Sequence, residues 1–206
     1  MHIHIFEAAK EWLESKHGFT VVGGWMSPSH DSYVLAKLEF ARSPPINAAH
    51  RVAMCRAGLA SSSWVEVSSW EATTDQGFLD FPDVMQFHYD YLHEHLGEHA
   101  EDITLICGPV FGVELYDGKL APVVAVGRPG YTEALRTMVQ SSIRQAEKQG
   151  LPASRDMLYI VSNETLAFSS TKVRELLERG ESVAELCGEE VEAYLQHHDL
   201  HKAFFK

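Results

Sequence analysis

Apolar residues recur at helical spacing from the start of the chain. Ile5, Ala9, Trp12 and Leu13 share one face, and Gly18 ends the pattern. The spacing predicts an opening helix with no lead-in. Residues 18–26 then form an apolar stretch punctuated by glycines, expected as a buried strand, and residues 27–33 are rich in turn formers and expected as a loop. Asn47 stands where it can cap a helix through Val52, Cys55, Ala57 and Leu59, and residues 64–67 read as the next strand. Pro82 suits the first turn of an aromatic, His-rich helix reaching about Leu96, followed by short apolar strands at 103–107 and 120–126. Leu135, Met138, Val139, Ser142, Ile143 and Ala146 make one stripe of a helix over 132–149, with Gly150 as its stop, and residues 158–161 are the last strand. A helix opened near Ser169 and closed by Gly180, then one through Val191, Tyr194 and Leu195, complete the chain.

Strands separated by helices imply parallel pairing with right-handed crossovers. The expected fold is α/β, a doubly wound parallel sheet in a Rossmann-like three-layer sandwich, with residues 1–206 as one domain and 169–206 as its helical C-terminal part. Such sheets bind ligands beyond the carboxyl ends of their strands. The loops after Met26, Val67, Cys107 and Val126 are therefore the places to look.

Composition narrows the function. At 206 residues and 45% apolar content the chain can fill one core. A net charge of −12 with scattered Lys and Arg disfavours nucleic acid and anionic lipid as partners, though a small anionic ligand needs only two or three local donors. No apolar run approaches the roughly 18 residues of a membrane span. Cys55, Cys107 and Cys187 are far apart and form no CxxC pair, which fits a reducing compartment, cytoplasm or nucleus, better than a disulfide scaffold.

Two stretches carry candidate chemistry. Ser169-Ser170-Thr171-Lys172-Val173-Arg174 puts hydroxyls, free backbone N–H groups and two cations at a helix N-terminus. That is an anion cradle, because the helix dipole favours negative charge and a guanidinium forks onto phosphate oxygens. An ordinary Ser/Thr cap beside a solvated arginine has the same sequence. Separately, His95-Leu-Gly-Glu-His99 has the HxxEH form of inverted zinc peptidases, which would make the protein a zinc-dependent hydrolase. Gly97 inside that motif disfavours the helix it requires.

Several segments, in order, resemble the eukaryotic nicotinamide mononucleotide adenylyltransferase family. Residues 1–10, MHIHIFEAAK, resemble the family's helix after its first glycine-rich turn. Residues 20–33, with Ser27-Pro-Ser-His-Asp-Ser-Tyr33, resemble its SPxxDxY segment. His50-Arg51-Val52 and Trp64-Val-Glu-Val-Ser-Ser-Trp-Glu71 are similar to its third segment, and Phe168–Arg174 to its triphosphate motif. The resemblance implies transfer of AMP from ATP to nicotinamide mononucleotide, with Mg2+ accompanying ATP and no covalent intermediate. It places His2 on the α-phosphate as the last His of an HxxH-like motif. Ser170, Thr171, Lys172, Val173, Arg174 and Arg128 fall on ATP. Tyr33, Trp70, Phe78, Gly108, Leu115 and Tyr116 fall on the acceptor nucleotide, Trp70 either walling the pocket or supporting the core. Self-association of family members leaves a homo-oligomer open.

The resemblance also marks departures. The family's GxFxP strand and turn would precede Met1, so the first strand is expected to be missing and the chain to be N-terminally truncated. Val110 stands where the family has an acidic residue, and Val34, Leu35 and Ala36 precede Lys37 where it has lysines. A catalytically impaired, nucleotide-binding paralogue or truncated isoform is the alternative these departures support.

Overall fold

The computed structural model describes residues 2–39, 44–102, 104–106, 113–114, 120–121, 123–126, 132–148, 158–161 and 170–204. Helices α1 (His2–His17), α2 (Asp31–Glu39), α3 (Ala48–Gly58), α4 (Trp70–Thr73), α5 (Phe81–Leu96), α6 (Thr132–Lys148), α7 (Ser170–Glu178), α8 (Ala184–Cys187) and α9 (Glu189–His197) are interspersed with short strands. These are β1 (Gly24–Met26), β2 (Val65–Val67), β3 (Val113–Glu114), β4 (Leu120–Ala121), β5 (Val123–Val126) and β6 (Leu158–Val161). The class is mixed α/β. Strand β1 pairs parallel with β2, with Gly24 opposite Val65 and Met26 opposite Val67. Strand β5 pairs parallel with β6 from Val123–Leu158 to Val126–Val161, and β3 pairs antiparallel with β4.

Contacts divide the chain into two compact units. The first holds residues 1–6, 18–79 and 168–206, and the second residues 7–17 and 80–167. The core of the first is a cluster of Leu177, Val183, Leu195 and Phe204, walled by Ile46, Met54, Val173, Leu176, Cys187, Val191 and Leu200. In the second, Ala9, Val124 and Val161 are buried together against Trp12, Ile106 and Val126.

Most helix signals hold. Helix α1 buries Ala9 and Leu13 as its spacing requires, and Gly18 follows it at φ +69°, a conformation that favours glycine. Asn47 caps α3 by accepting from the His50 backbone N–H at 3.0 Å. Pro82 lies in the first turn of α5, and Gly180, at φ +67°, closes α7. On α6, Glu133, Thr137, Ser141, Arg144 and Lys148 face solvent, while the side chains of its apolar stripe, like its Gly150 stop, lie outside the described residues.

Three strand expectations are corrected. Residues 18–23 are not in a strand; pairing starts only at Gly24, whose N–H donates to the Trp64 carbonyl at 2.9 Å, and Val22 is 74% exposed. Thr104–Ile106 are also outside any strand, although Ile106 packs on the second core. The expected strand at 120–126 is divided, its first two residues pairing with β3 and its last four with β6. Apolar content alone does not make a strand, which also needs a neighbour to take its N–H and C=O groups.

Gly24 is held where a larger residue would crowd. A Cβ there would lie 3.1 Å from Trp64 Cζ3 and 3.2 Å from two Phe6 ring carbons, and those two rings already meet edge-to-face at 6.0 Å. Gly24→Ala is expected to cost about 1–3 kcal/mol by overpacking. Thermal unfolding should show a Tm several degrees lower; an unchanged Tm would mean that the two rings give way freely.

Candidate active site

The parallel pairing of β1 and β2 brings two of the sequence segments out at the same end. Both strands run into loops at their carboxyl ends, and the loops are tied together: the Ser68 N–H donates to the Met26 carbonyl at 3.0 Å, and the Ser27 hydroxyl donates to Glu71 Oε2 at 2.6 Å. Glu71 is buried, so this bond satisfies a carboxylate that water reaches poorly. Ser27 begins the SPxxDxY segment and Glu71 ends the Trp64–Glu71 segment. Their union was not anticipated from sequence.

Residues 27–33 are not wholly a loop. Helix α2 begins at Asp31 and carries Tyr33, because His30 acts as its cap: the His30 carbonyl accepts from the Val34 N–H at 3.3 Å, and ring Nδ1 accepts from the Ser32 N–H at 3.1 Å. Histidine is outside the usual capping set, which is why the start went unrecognised. Asp31 in the first turn adds a favourable dipole interaction.

Tyr33 stacks on Phe78, ring centroids 5.2 Å apart and planes 16° from parallel, and both are exposed. Lys37 Nζ lies 5.8 Å from the Tyr33 ring centre. The structure thus unites two residues expected at the acceptor nucleotide and adds a nearby cation. A flat, solvent-facing aromatic pair can take a third planar ring, by stacking worth roughly 0.5–1.5 kcal/mol beyond area burial. Trp70 opens α4, half-buried, directly before Glu71.

Arg51 Nη2 donates to Asp31 Oδ1 at 2.7 Å, and its Nε donates to the Ile46 carbonyl at 3.0 Å. Burial by itself raises the Asp31 pKa, but the hydrogen bonds from Arg51 and the Ala48 backbone N–H, with the guanidinium charge, leave the carboxyl below its ordinary range. A carboxylate with a depressed folded-state pKa stabilises the fold above its unfolded value of about 3.9 and loses that contribution as pH falls through the folded value. Wild type should therefore exceed Asp31→Asn in stability at neutral pH, by under about 1 kcal/mol because the pair is partly exposed. The difference should shrink as pH falls below about 4 and vanish once pH is below the lowered folded-state value. Urea titrations at a series of pH values would show this; a constant difference down to pH 2 would contradict it.

In α7, Ser170 is the first residue, Thr171 is exposed, and Arg174 Nη2 donates to Thr171 Oγ1 at 3.3 Å. Val173 packs on the first core, so the turn has an anchored side and a solvent side. The first turn holds no acidic residue; Lys172 is about half exposed and lies 3.9 Å from Glu175. Hydroxyls, helix-end N–H groups and two cations thus occur together on an open surface.

Other expected site residues lie outside the described residues: Gly108, Leu115, Tyr116, Arg128 and Ser169, as does the position of Val110. His2 is the first residue of α1, its side chain likewise outside them. For the HxxEH motif the finding is direct. Helix α5 ends at Leu96, Gly97 takes φ +55°, and His99 lies in a following 3₁₀ turn, so His95 and His99 do not share a helical face. Among the described residues no three His, Cys, Asp or Glu side chains group to hold a metal ion, and no helix is long and apolar enough to cross a membrane. Cys55 and Cys187 are free thiols.

No protein-family model matches the chain. Individual proteins do. It is 30% identical to the nicotinamide/nicotinic acid mononucleotide adenylyltransferase of Oryza sativa over 98% of this chain and 80% of that protein. It is 29% identical to the protein of the same name from Arabidopsis thaliana over 98% of this chain and 84% of that one. A shorter stretch of 74 residues is 42% identical to nicotinamide/nicotinic acid mononucleotide adenylyltransferase 2 of Danio rerio, covering 36% of this chain and 22% of that protein.

Proposed function

The chain belongs to the nicotinamide/nicotinic acid mononucleotide adenylyltransferase family of nucleotidyltransferases, and from that premise we propose that it transfers AMP from ATP to nicotinamide mononucleotide, making NAD and pyrophosphate. The likeness to the rice protein over nearly the whole chain carries the reading. Each parallel pair, β1–β2 and β5–β6, is read as a segment of a doubly wound nucleotidyltransferase sheet.

The reaction asks for alignment and charge neutralisation. A 5′-phosphate oxygen of nicotinamide mononucleotide attacks the α-phosphorus of ATP, the bond to the α–β bridging oxygen breaks, and pyrophosphate leaves with that electron pair. No side chain need become covalently attached. Binding both reactants in line removes much of the entropic barrier, and fixed donors stabilise the charge that builds on the phosphates. In this reading Ser170, Thr171, Lys172 and Arg174 hold the β- and γ-phosphates, and His2, with Arg128, donates near the α-phosphate. The Tyr33–Phe78 face takes the nicotinamide nucleotide; Trp70, Gly108, Leu115 and Tyr116 are assigned to the same nucleotide by the family resemblance alone. Mg2+ would arrive on ATP, held by phosphate oxygens and water, as suits an ion reluctant to dehydrate; there it would neutralise the leaving pyrophosphate.

The test is acceptor competition. Purified protein given ATP, Mg2+ and an equal mixture of nicotinamide mononucleotide, nicotinate mononucleotide and phosphopantetheine should consume a pyridine nucleotide and release one pyrophosphate per dinucleotide formed. Consumption of phosphopantetheine alone would move the protein to another branch of the nucleotidyltransferases. Binding of nucleotides without pyrophosphate release would make it the impaired paralogue.

A further inference from the structure

Arg51 belongs to none of the groups assigned above to ATP or the acceptor, yet it is held unusually firmly. Its guanidinium is fixed at two points, Asp31 Oδ1 at 2.7 Å and the Ile46 carbonyl at 3.0 Å, and its side chain is only 16% exposed. Asp31 in turn accepts from Arg51 at 2.7 Å, and Arg51 lies one turn into α3. Asp31 is itself the first residue of α2, and Tyr33, two residues on, stacks against Phe78. The start of one helix is therefore clamped to the start of another next to the exposed aromatic pair.

We propose that Arg51 is a positioning residue: by gripping Asp31 it sets where α2 begins, and so sets the Tyr33–Phe78 face on which the acceptor nucleotide's planar ring lies. This rests on the assignment of that face to the acceptor. An ion pair this exposed on the Asp31 side contributes little to stability. A displacement of about 1 Å at a binding surface can nonetheless cost on the order of a hundredfold in rate. The signature of positioning is a loss of affinity out of proportion to the loss of stability. Lysine cannot supply both bonds, because its single ammonium lacks the planar fork that spans them.

Calorimetric titration of the whole chain with nicotinamide mononucleotide, alongside thermal unfolding, decides the matter. Arg51→Gln should weaken binding about tenfold or more, and Arg51→Lys should recover only part of the loss. Asn47→Ala removes the α3 cap without touching Asp31. It should lower Tm at least as much as Arg51→Gln yet leave affinity within about twofold. Should Arg51→Gln fail to fold, Asp31→Asn removes the charge that Arg51 grips while keeping the side chain's size, and should show the same weakening. Combined with Tyr33→Ala, Arg51→Gln should add little further loss, since both act through one surface. Equal loss of affinity in Asn47→Ala and Arg51→Gln would reduce Arg51 to a structural role. A Tyr33→Ala protein that binds weakly beside an Arg51→Gln protein that binds normally would overturn the positioning role alone. Normal binding by Tyr33→Ala would overturn the assignment of the aromatic face, and the positioning role with it.

Discussion

Arg174→Ala is expected to raise the KM for ATP roughly ten- to a hundredfold and to slow turnover, while leaving the affinity for nicotinamide mononucleotide nearly unchanged. The magnitude follows from one charge-assisted hydrogen bond to phosphate, about 1.5–3 kcal/mol. Among the described residues Arg174 donates to the Thr171 hydroxyl at 3.3 Å, a long bond to a neutral group that a phosphate can readily replace. Lys172 differs, since it lies 3.9 Å from Glu175 and holds a more hydrated charge. Lys172→Ala should therefore have the smaller effect. Initial rates at varied ATP, with the second substrate saturating, would measure both. An Arg174→Ala enzyme with wild-type KM for ATP would remove the arginine from the phosphate site.

Leu195→Ala is expected to cost about 2–5 kcal/mol of stability, enough to threaten the fold of a domain whose total stability is of the order of 5–15 kcal/mol. Leu195 is 3% exposed and sits in the same cluster as Leu177, Val183 and Phe204. Removing its methyl groups leaves a void that rigid helices close only in part. The cluster also receives Val173, which lies between Lys172 and Arg174, so the damage should reach the cradle. Leu195→Met, which keeps the volume, should cost less than about 1.5 kcal/mol. Urea unfolding of the three proteins would separate these outcomes; equal midpoints for Leu195→Ala and wild type would mean that the cluster does not hold this part of the fold.

Helices were legible in the sequence because their signals are local. Asn47 before α3, Pro82 in α5 and the glycine after α1 each act within one or two turns, and the structure uses all three. Strands were less legible because a strand depends on a partner far along the chain. Val22 and Ile106 both lie in apolar runs, yet neither is in a strand; one faces solvent and the other packs on a core. The site divides in the same way. The α7 cradle is a contiguous hexapeptide and could be found by reading, and Tyr33 and Phe78 could be named separately. Their stacking, the Ser27–Glu71 bond and the Asp31–Arg51 clamp link residues 45, 44 and 20 positions apart. No spacing rule reaches across such intervals. A helix started by His30 escaped for a different reason, since its cap is a ring nitrogen in place of the usual hydroxyl or carboxylate.

The claim on which the mechanism depends is that the N-terminal turn of α7 holds the triphosphate of ATP. A crystal structure of the protein with Mg2+ and an ATP analogue whose α–β bridge cannot be cleaved tests it directly. The β- and γ-phosphates should lie within hydrogen-bond distance of the Ser170 and Thr171 hydroxyls and the Arg174 guanidinium. Phosphates bound elsewhere, with Arg174 still turned to Thr171, would contradict it.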